Sequence, residues 1–71
     1  MSRDICVRFG ERIRQLREEK GISQIELSEK VGIENAYLSR VESGKKEPCL
    51  RVIEMIAGGL KISLRQIFWD L

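Results

Sequence analysis

Residues 23–44 read SQIELSEKVGIENAYLSRVESG, and this segment carries the clearest structural pattern in the chain. Its spacing predicts two short helices joined by a tight turn at Gly32, because glycine readily adopts the left-handed conformation that ends a helix. The exposed side of the second helix carries small and polar side chains. Since an α-helix fits the major groove of DNA, a helix pair of this kind is suited to placing one helix there.

Helical spacing also recurs on either side of this segment, whereas strand signals are weak. We predict five helices, over residues of about 7–20, 23–31, 34–43 and 49–57, and from 63 onwards. The S-x-x-E spacing of Ser23 and Glu26 indicates a capping box at the start of the second helix. Ser63 and Gln66 indicate another at the start of the fifth.

The apolar positions of these helices predict one shared core, so the expected fold class is all-α. The residues expected to point inward are Phe9, Ile13, Leu16, Leu27, Val31, Ile33, Leu38, Val41, Leu50, Ile53, Ile56, Ala57, Leu64, Ile67, Phe68 and Leu71. Gly21, Gly32 and Gly44 are expected to end the first three helices. Gly58 and Gly59 are expected to break the fourth.

Length and composition limit the functions that the chain can have. Its 71 residues suffice for one domain with a modest core. The formal net charge of +2 does not identify a nucleic-acid binder, so a binding surface would have to come from local clustering. Cys6 and Cys49 lack metal-site spacing and the chain has no His, so we expect no zinc site, no other cofactor and no small-molecule ligand. Both thiols are expected to be reduced and in the core.

Membrane insertion, export and catalysis are not expected. No apolar run approaches the roughly 20 residues of a membrane span, and the N-terminal residues lack the apolar segment of a signal peptide. We therefore expect a protein of the cytosol. The sequence offers no His, no nucleophile–base arrangement and no glycine-rich phosphate loop, so an enzyme is not expected.

A longer pattern links the segment to the rest of the chain. It consists of Phe9, Gly10, Ile13, Leu16, Arg17, Gly21, Ser23, Gln24, Leu27, Gly32, Ile33, Leu38, Ser39, Glu42, Gly44 and Pro48. This pattern, which covers about residues 5–68, resembles the lambda-repressor-like helix-turn-helix family of the Cro/C1 or XRE type. The chain length and the run YLS-x-VE also resemble the controller proteins of restriction–modification systems.

The resemblance implies a compact five-helix domain over residues 1–71 that binds double-stranded operator DNA as a homodimer. Its helix-turn-helix would occupy about residues 23–43, and the third helix would enter the major groove. Dimerisation would involve about residues 49–71.

The third helix presents four candidate base-contacting residues, Asn35, Ala36, Ser39 and Arg40. Asn can pair with adenine and Arg with guanine, Ser can bond several base edges, and Ala can touch a thymine methyl. The alternative is a solvated helix face that binds nothing. Glu34 departs from the family pattern, which often has Ser or Thr at this position. Its carboxylate suits the helix dipole but repels phosphate.

Five further residues are candidates for phosphate contacts: Gln24, Tyr37, Lys45, Lys46 and Arg14. The resemblance implies that Gln24 contacts phosphate and braces the third helix. Tyr37 is expected to be partly in the core, and the lysines could instead be merely solvated. The resemblance also implies that Arg17 and Glu42 form a structural ion pair between the first and third helices.

Apolar residues off the inward stripes predict the dimer surface. Val52 lies at the edge of the stripe of the fourth helix, Met55 lies off it, and Trp69 lies off that of the fifth. Exposed apolar residues of this kind favour an interface, so we predict a twofold homodimer. The alternative is that Trp69 folds back onto its own core.

The leading hypothesis is a sequence-specific transcriptional regulator that binds a near-palindromic operator. Repression and activation would use the same DNA-binding face, but activation would need an exposed patch for RNA polymerase, for which Glu42 and Lys45 are candidates. The alternative is a protein-interaction module, antitoxin-like or anti-regulator, with secondary DNA binding. The sequence does not distinguish which genes respond.

Overall fold

Five α-helices, with no strand among them, make up the part of the chain that the computed structural model describes, residues 4–71. In chain order they are α1 (Ile5–Glu19), α2 (Gln24–Val31), α3 (Asn35–Glu42), α4 (Leu50–Leu60) and α5 (Leu64–Phe68). The all-α prediction with five helices is confirmed. The predicted domain covers residues 1–71, and its first three residues lie outside the described ones.

The helix termini follow the local sequence signals. The Ser23 hydroxyl accepts a hydrogen bond from the Glu26 N–H at 3.0 Å, and the Glu26 carboxylate accepts one from the Ser23 N–H at 2.9 Å. The same reciprocal box joins Ser63 and Gln66. The N–H donated by Ser23 lowers the pKa of the Glu26 carboxyl. Gly32 ends α2 with φ +78°, a backbone conformation that residues other than glycine adopt only at an energetic cost.

The core lies between α1, the α2–α3 pair and the two C-terminal helices. α1 packs against α3, α2 against α3 and α4, and α5 closes the core against α1 and α4. The buried apolar residues are Phe9, Ile13, Leu27, Leu38, Val41, Ile56, Ala57, Leu60 and Ile67. Every one of them except Leu60 was expected to point inward.

The structure corrects the prediction that Gly58 and Gly59 break the fourth helix. α4 continues through both glycines to Leu60. Lys61 caps its C-terminus with φ +57°. A Cβ on Gly59 would lie 2.3 Å from Cγ1 of Val31, so this glycine lets α4 approach α2 closely. Glycine here serves helix–helix packing at some cost in helix propensity.

Several residues that were expected in the core lie at the surface. Leu50 is 84% exposed, because it stands at the first turn of α4, beyond the end of the core. Leu64 and Phe68 are also exposed, since α5 has only five residues and buries Ile67 alone. Cys49 is exposed and Cys6 is half-buried, so neither free thiol belongs to the core.

Replacing Gly10 with alanine is expected to lower the free energy of unfolding by about 1–3 kcal/mol, the usual cost of overpacking. A Cβ at this position in α1 would lie 2.3 Å from the carbonyl oxygen of Val41 and 2.6 Å from that of Glu42. Urea unfolding measures the change. The matched control is Gly58→Ala, because a Cβ there meets nothing within 4 Å and alanine should be neutral or stabilising. Equal stability of the two variants would contradict this packing argument.

Candidate nucleic-acid interface

One face of α3 is anchored and the other is open. Leu38 and Val41 are 0% exposed and hold the helix on the core. The four candidate base-contacting residues, Asn35, Ala36, Ser39 and Arg40, are all exposed. The structure therefore brings them together on one outward surface of a helix that cannot rotate without uncovering its two anchors.

A buried ion pair fixes α3 relative to α1. The Arg17 guanidinium donates to the Glu42 carboxylate twice, from Nε at 2.8 Å and from Nη2 at 3.0 Å. Its Nη1 donates to the carbonyl oxygen of Ile22 at 2.8 Å. Glu42 is 7% exposed, and its hydrogen bonds raise the pKa of Arg17. This two-pronged geometry sets both the position and the rotation of α3.

Gln24 adds α2 to the same network. At the first residue of α2, its Nε2 donates to Oε1 of Glu42 at 3.2 Å, so the amide braces α3 from the neighbouring helix. The amide has a second N–H and a carbonyl oxygen that this bond does not use. A phosphate contact by Gln24 is therefore compatible with its bracing contact and stays a prediction.

A shallow cleft of about 250 Å³ opens beside this network, where α1, α2 and α3 meet. Its lining residues are Arg14, Arg17, Gln24, Ser39, Glu42 and Ser43. Arg14 forms an ion pair with Glu18, one helical turn away, at 3.3 Å. Exposed pairs of this type contribute little to stability. Arg14 can therefore exchange its carboxylate partner for a phosphate at small cost.

The loop after α3 carries the other basic candidates. The Lys46 ammonium lies 5.7 Å from the centroid of the half-buried Tyr37 ring, within the range of a cation–π contact. Lys45 is exposed, and its backbone N–H donates to the carbonyl oxygen of Arg40 at 2.9 Å. Both lysines thus lie next to α3, Lys45 at Arg40 and Lys46 at Tyr37. Their predicted contacts with phosphate remain untested.

The polymerase patch predicted near Glu42 and Lys45 stays a prediction, but the Glu42 carboxylate is not available to form part of it. That carboxylate is buried and already accepts three hydrogen bonds, because it serves as the hub between α1, α2 and α3. It has no surface to offer to another protein. Lys45 alone is exposed.

The residues predicted for a dimer surface differ in exposure. Trp69 is 66% exposed, so the alternative in which it folds back onto the core is wrong. Val52 and Met55 are half-buried, and Val52 packs against the core. Both residues therefore lie at the border between the core and the open surface of α4.

An apolar groove of about 380 Å³ lies between α1, the start of α4 and α5, and the sequence did not reveal it. Leu50 stands at its rim, and the Phe9 and Phe68 rings stack along its base with centroids 5.6 Å apart. Leu50 was assigned to the core because it continues the stripe of α4. The available signal was its position two residues after Pro48, at the first residue of α4.

Two arginines that sequence reasoning left without a role hold the C-terminal segment on α1. Nη1 of Arg12 donates to the carbonyl oxygens of Gln66 and Ile67, at 3.2 and 3.1 Å. Arg8 donates to the carbonyl oxygen of Leu71. The Arg12 bonds satisfy carbonyls in the last turn of α5, which have no partner within the helix, and the Arg8 bond holds the residues that follow it.

The part of the chain from residue 4 to residue 71 contains no helix with the length and apolar character needed to cross a membrane. In the same part, no group of three or more His, Cys, Asp or Glu side chains is arranged to hold a metal ion.

Known proteins resemble the chain over most of its length. The family model described as Helix-turn-helix matches residues 13–67. The control protein C.MunI of Mycoplasma sp is 36% identical over 69 residues, covering 96% of this chain and 93% of that protein.

Two solved structures of restriction–modification controller proteins share the fold. C.AhdI from Aeromonas hydrophila is 38% identical, with a TM-score of 0.87 over 89% of this chain and 96% of that one. The C.Esp1396I tetramer in complex with its natural 35 base-pair operator has a chain that is 25% identical. Its TM-score is 0.86 over 94% of this chain and 88% of that one.

Proposed function

The chain belongs to the helix-turn-helix family, and we propose that within it the chain is a sequence-specific transcriptional regulator that binds operator DNA as a homodimer. The observation that carries this proposal is the open face of α3, where four side chains able to touch base edges stand on a rigidly anchored helix. Rigid placement matters because base readout requires hydrogen bonds of defined length and direction.

Charge placement supports the same role. Arg40, Lys45 and Lys46 cluster at one end of α3, and Arg14 borders the cleft at the start of α2, although the whole chain carries a net charge of only +2. Phosphate contacts from such residues would position the protein, while Asn35, Ser39 and Arg40 would read bases. A regulator of this kind would act in the cytosol, where the sequence analysis expects the protein, and needs no catalytic group.

The more specific proposal is that the chain controls a restriction–modification system. C.MunI supports it, because that control protein matches almost end to end, and so does the fold shared with C.AhdI. The control variable would be the concentration of the protein itself, because dimerisation would then set how much of the operator is occupied. Activation would also require contact with RNA polymerase, and of the two residues predicted for it only Lys45 is exposed.

Selection of bound duplexes from a random DNA pool, followed by footprinting, tests the proposal. A twofold dimer should select a near-palindrome whose half-sites lie about 34 Å apart, one turn of DNA. Failure to protect any sequence, even at low salt, would refute the regulator and favour the protein-interaction module instead.

We also propose that the dimer forms through the C-terminal half of the chain. Trp69 is the residue that supports this most directly, since a large aromatic side chain left mostly in water is unfavourable in a monomer. Met55 and Val52 are only half-buried on α4, and covering them would gain further apolar contact. Exposed Leu50 and Phe68 extend the apolar surface towards the groove on α1.

Replacing Trp69 with serine is expected to raise the dimer dissociation constant by about 30-fold, because central aromatic residues contribute about 2 kcal/mol or more to an interface. Sedimentation equilibrium over a range of concentrations measures it. Ile25→Ser is the matched control, since Ile25 is an exposed apolar residue of α2, outside the proposed interface. If both variants dissociate at the same concentration as the unmodified protein, the proposed interface is wrong.

A further inference from the structure

Glu34 lies at the start of α3, beside the candidate base-contacting residues. It directly precedes α3 at the N-cap position, with an extended backbone (φ −68°, ψ 143°) and an exposed side chain. Its carboxylate makes no capping hydrogen bond to the helix. The carboxylates of Glu42, Glu18 and Glu26, by contrast, contact Arg17, Arg14 and the Ser23 N–H, respectively.

A carboxylate at this point has a cost that a plain cap would avoid. Serine, threonine, asparagine and aspartate cap helices well, and glutamate is not among the preferred residues. Next to DNA, the negative charge of Glu34 is repelled by phosphates and reduces the attraction that Arg40, Lys45 and Lys46 provide. A hydrogen bond that the carboxylate accepts from the DNA would offset this repulsion.

The major groove offers few donors to such an acceptor. Only the amino groups of cytosine, N4, and adenine, N6, donate there, whereas guanine and thymine present acceptors. Adenine places its N7 acceptor beside N6, which repels a carboxylate, and cytosine has no such neighbour on its own edge. Cytosine is therefore the base that an unpaired Glu34 fits best.

We propose that Glu34 is a specificity-determining residue that selects a cytosine in each half-site, beside the base contacted by Asn35. The inference rests on the proposed DNA-binding function. It extends that function because it identifies one base of the half-site, which the resemblance to the family leaves open. The N-terminal residues of a recognition helix are the ones closest to base edges, which is where Glu34 lies.

The test compares the sequences selected from a random DNA pool by three proteins: the unmodified chain, Glu34→Gln and Glu29→Gln. Glu29 is an exposed residue of α2, so its substitution removes the same charge away from the start of α3. Both variants lose one negative charge, so a change in base choice that appears only in Glu34→Gln does not come from net charge. Circular dichroism melting confirms that each variant is folded.

The unmodified protein and Glu29→Gln should prefer cytosine at one half-site position by about tenfold over the other bases, within the range of one good base contact. Glu34→Gln should lose that preference to about twofold or less, and the other positions should stay unchanged. An identical selected sequence for Glu34→Gln would overturn the inference while leaving the proposed function intact. If the unmodified protein selects no sequence at all, the proposed function fails and the inference with it.

Discussion

Replacing Glu42 with alanine is expected to lower the free energy of unfolding by about 3–5 kcal/mol. The Glu42 carboxylate accepts two hydrogen bonds from Arg17 and one from Gln24, and it is 7% exposed. Alanine would leave the Arg17 guanidinium largely buried with only the carbonyl oxygen of Ile22 as a partner. An uncompensated buried charge is costly, and a small domain has a total stability of only about 5–15 kcal/mol.

A double-mutant cycle separates the cost of the orphaned charge from the value of the pair. Arg17→Met, Glu42→Leu and the double variant are unfolded in urea alongside Glu42→Ala. The double variant should be more stable than either single one, because two apolar side chains of similar size leave no charge buried. Losses below about 1 kcal/mol for every single variant would show that the pair is in effect solvent-screened and does not fix α3.

Features set by neighbouring residues could be predicted from the sequence. The capping boxes at Ser23 and Ser63 depend on residues three positions apart, and the turn at Gly32 depends on one backbone conformation. The two faces of α3 were also predictable, because Leu38 and Val41 have helical spacing and leave the polar residues on the other side.

Features set by a distant segment could not be predicted in this way. The pair Gly58–Gly59 was predicted to break the helix because glycine has a low helix propensity. Gly59 is instead required because Val31 of α2 approaches it closely. Leu50 continues the stripe of α4, yet the core ends before it. Gly10 belonged to the family pattern without an assigned reason, which the carbonyl of Val41 supplies.

The candidate site shows the same division. Helical periodicity predicts which residues lie on the outer surface of α3. It does not predict which protein groups contact the candidate phosphate-binding side chains. Gln24 and Lys46 were both predicted to contact phosphate. In the structure Gln24 donates to Glu42, a bracing contact that only the family resemblance implied, and the Lys46 ammonium lies over the Tyr37 ring, which nothing in the sequence indicated. Such contacts position the side chains before any ligand arrives, which lowers the entropy lost on binding.

The triple variant with Asn35, Ser39 and Arg40 all replaced by alanine is expected to lose about 3–6 kcal/mol of binding to the selected operator, a loss of a hundredfold or more. The fold should be retained, because these side chains are exposed and lie outside the core. Alanine, which replaces them, also has the highest helix propensity. Fluorescence anisotropy with the selected duplex and with a scrambled one measures affinity and specificity together. The variant should prefer the selected duplex far less than the unmodified protein does, keeping at most the roughly tenfold preference proposed for Glu34, because the phosphate contacts do not distinguish the two duplexes.

The double variant Lys45→Ala/Lys46→Ala is the appropriate control for the triple one, because Arg40 also carries charge. It should weaken binding to both duplexes alike and reduce the slope of log affinity against log salt by about two, one per phosphate contact removed. Specificity would then depend on α3 and general attraction on the following loop. The division of roles is contradicted if the folded triple variant still prefers the selected duplex as strongly as the unmodified protein, since base choice would then arise elsewhere on the domain.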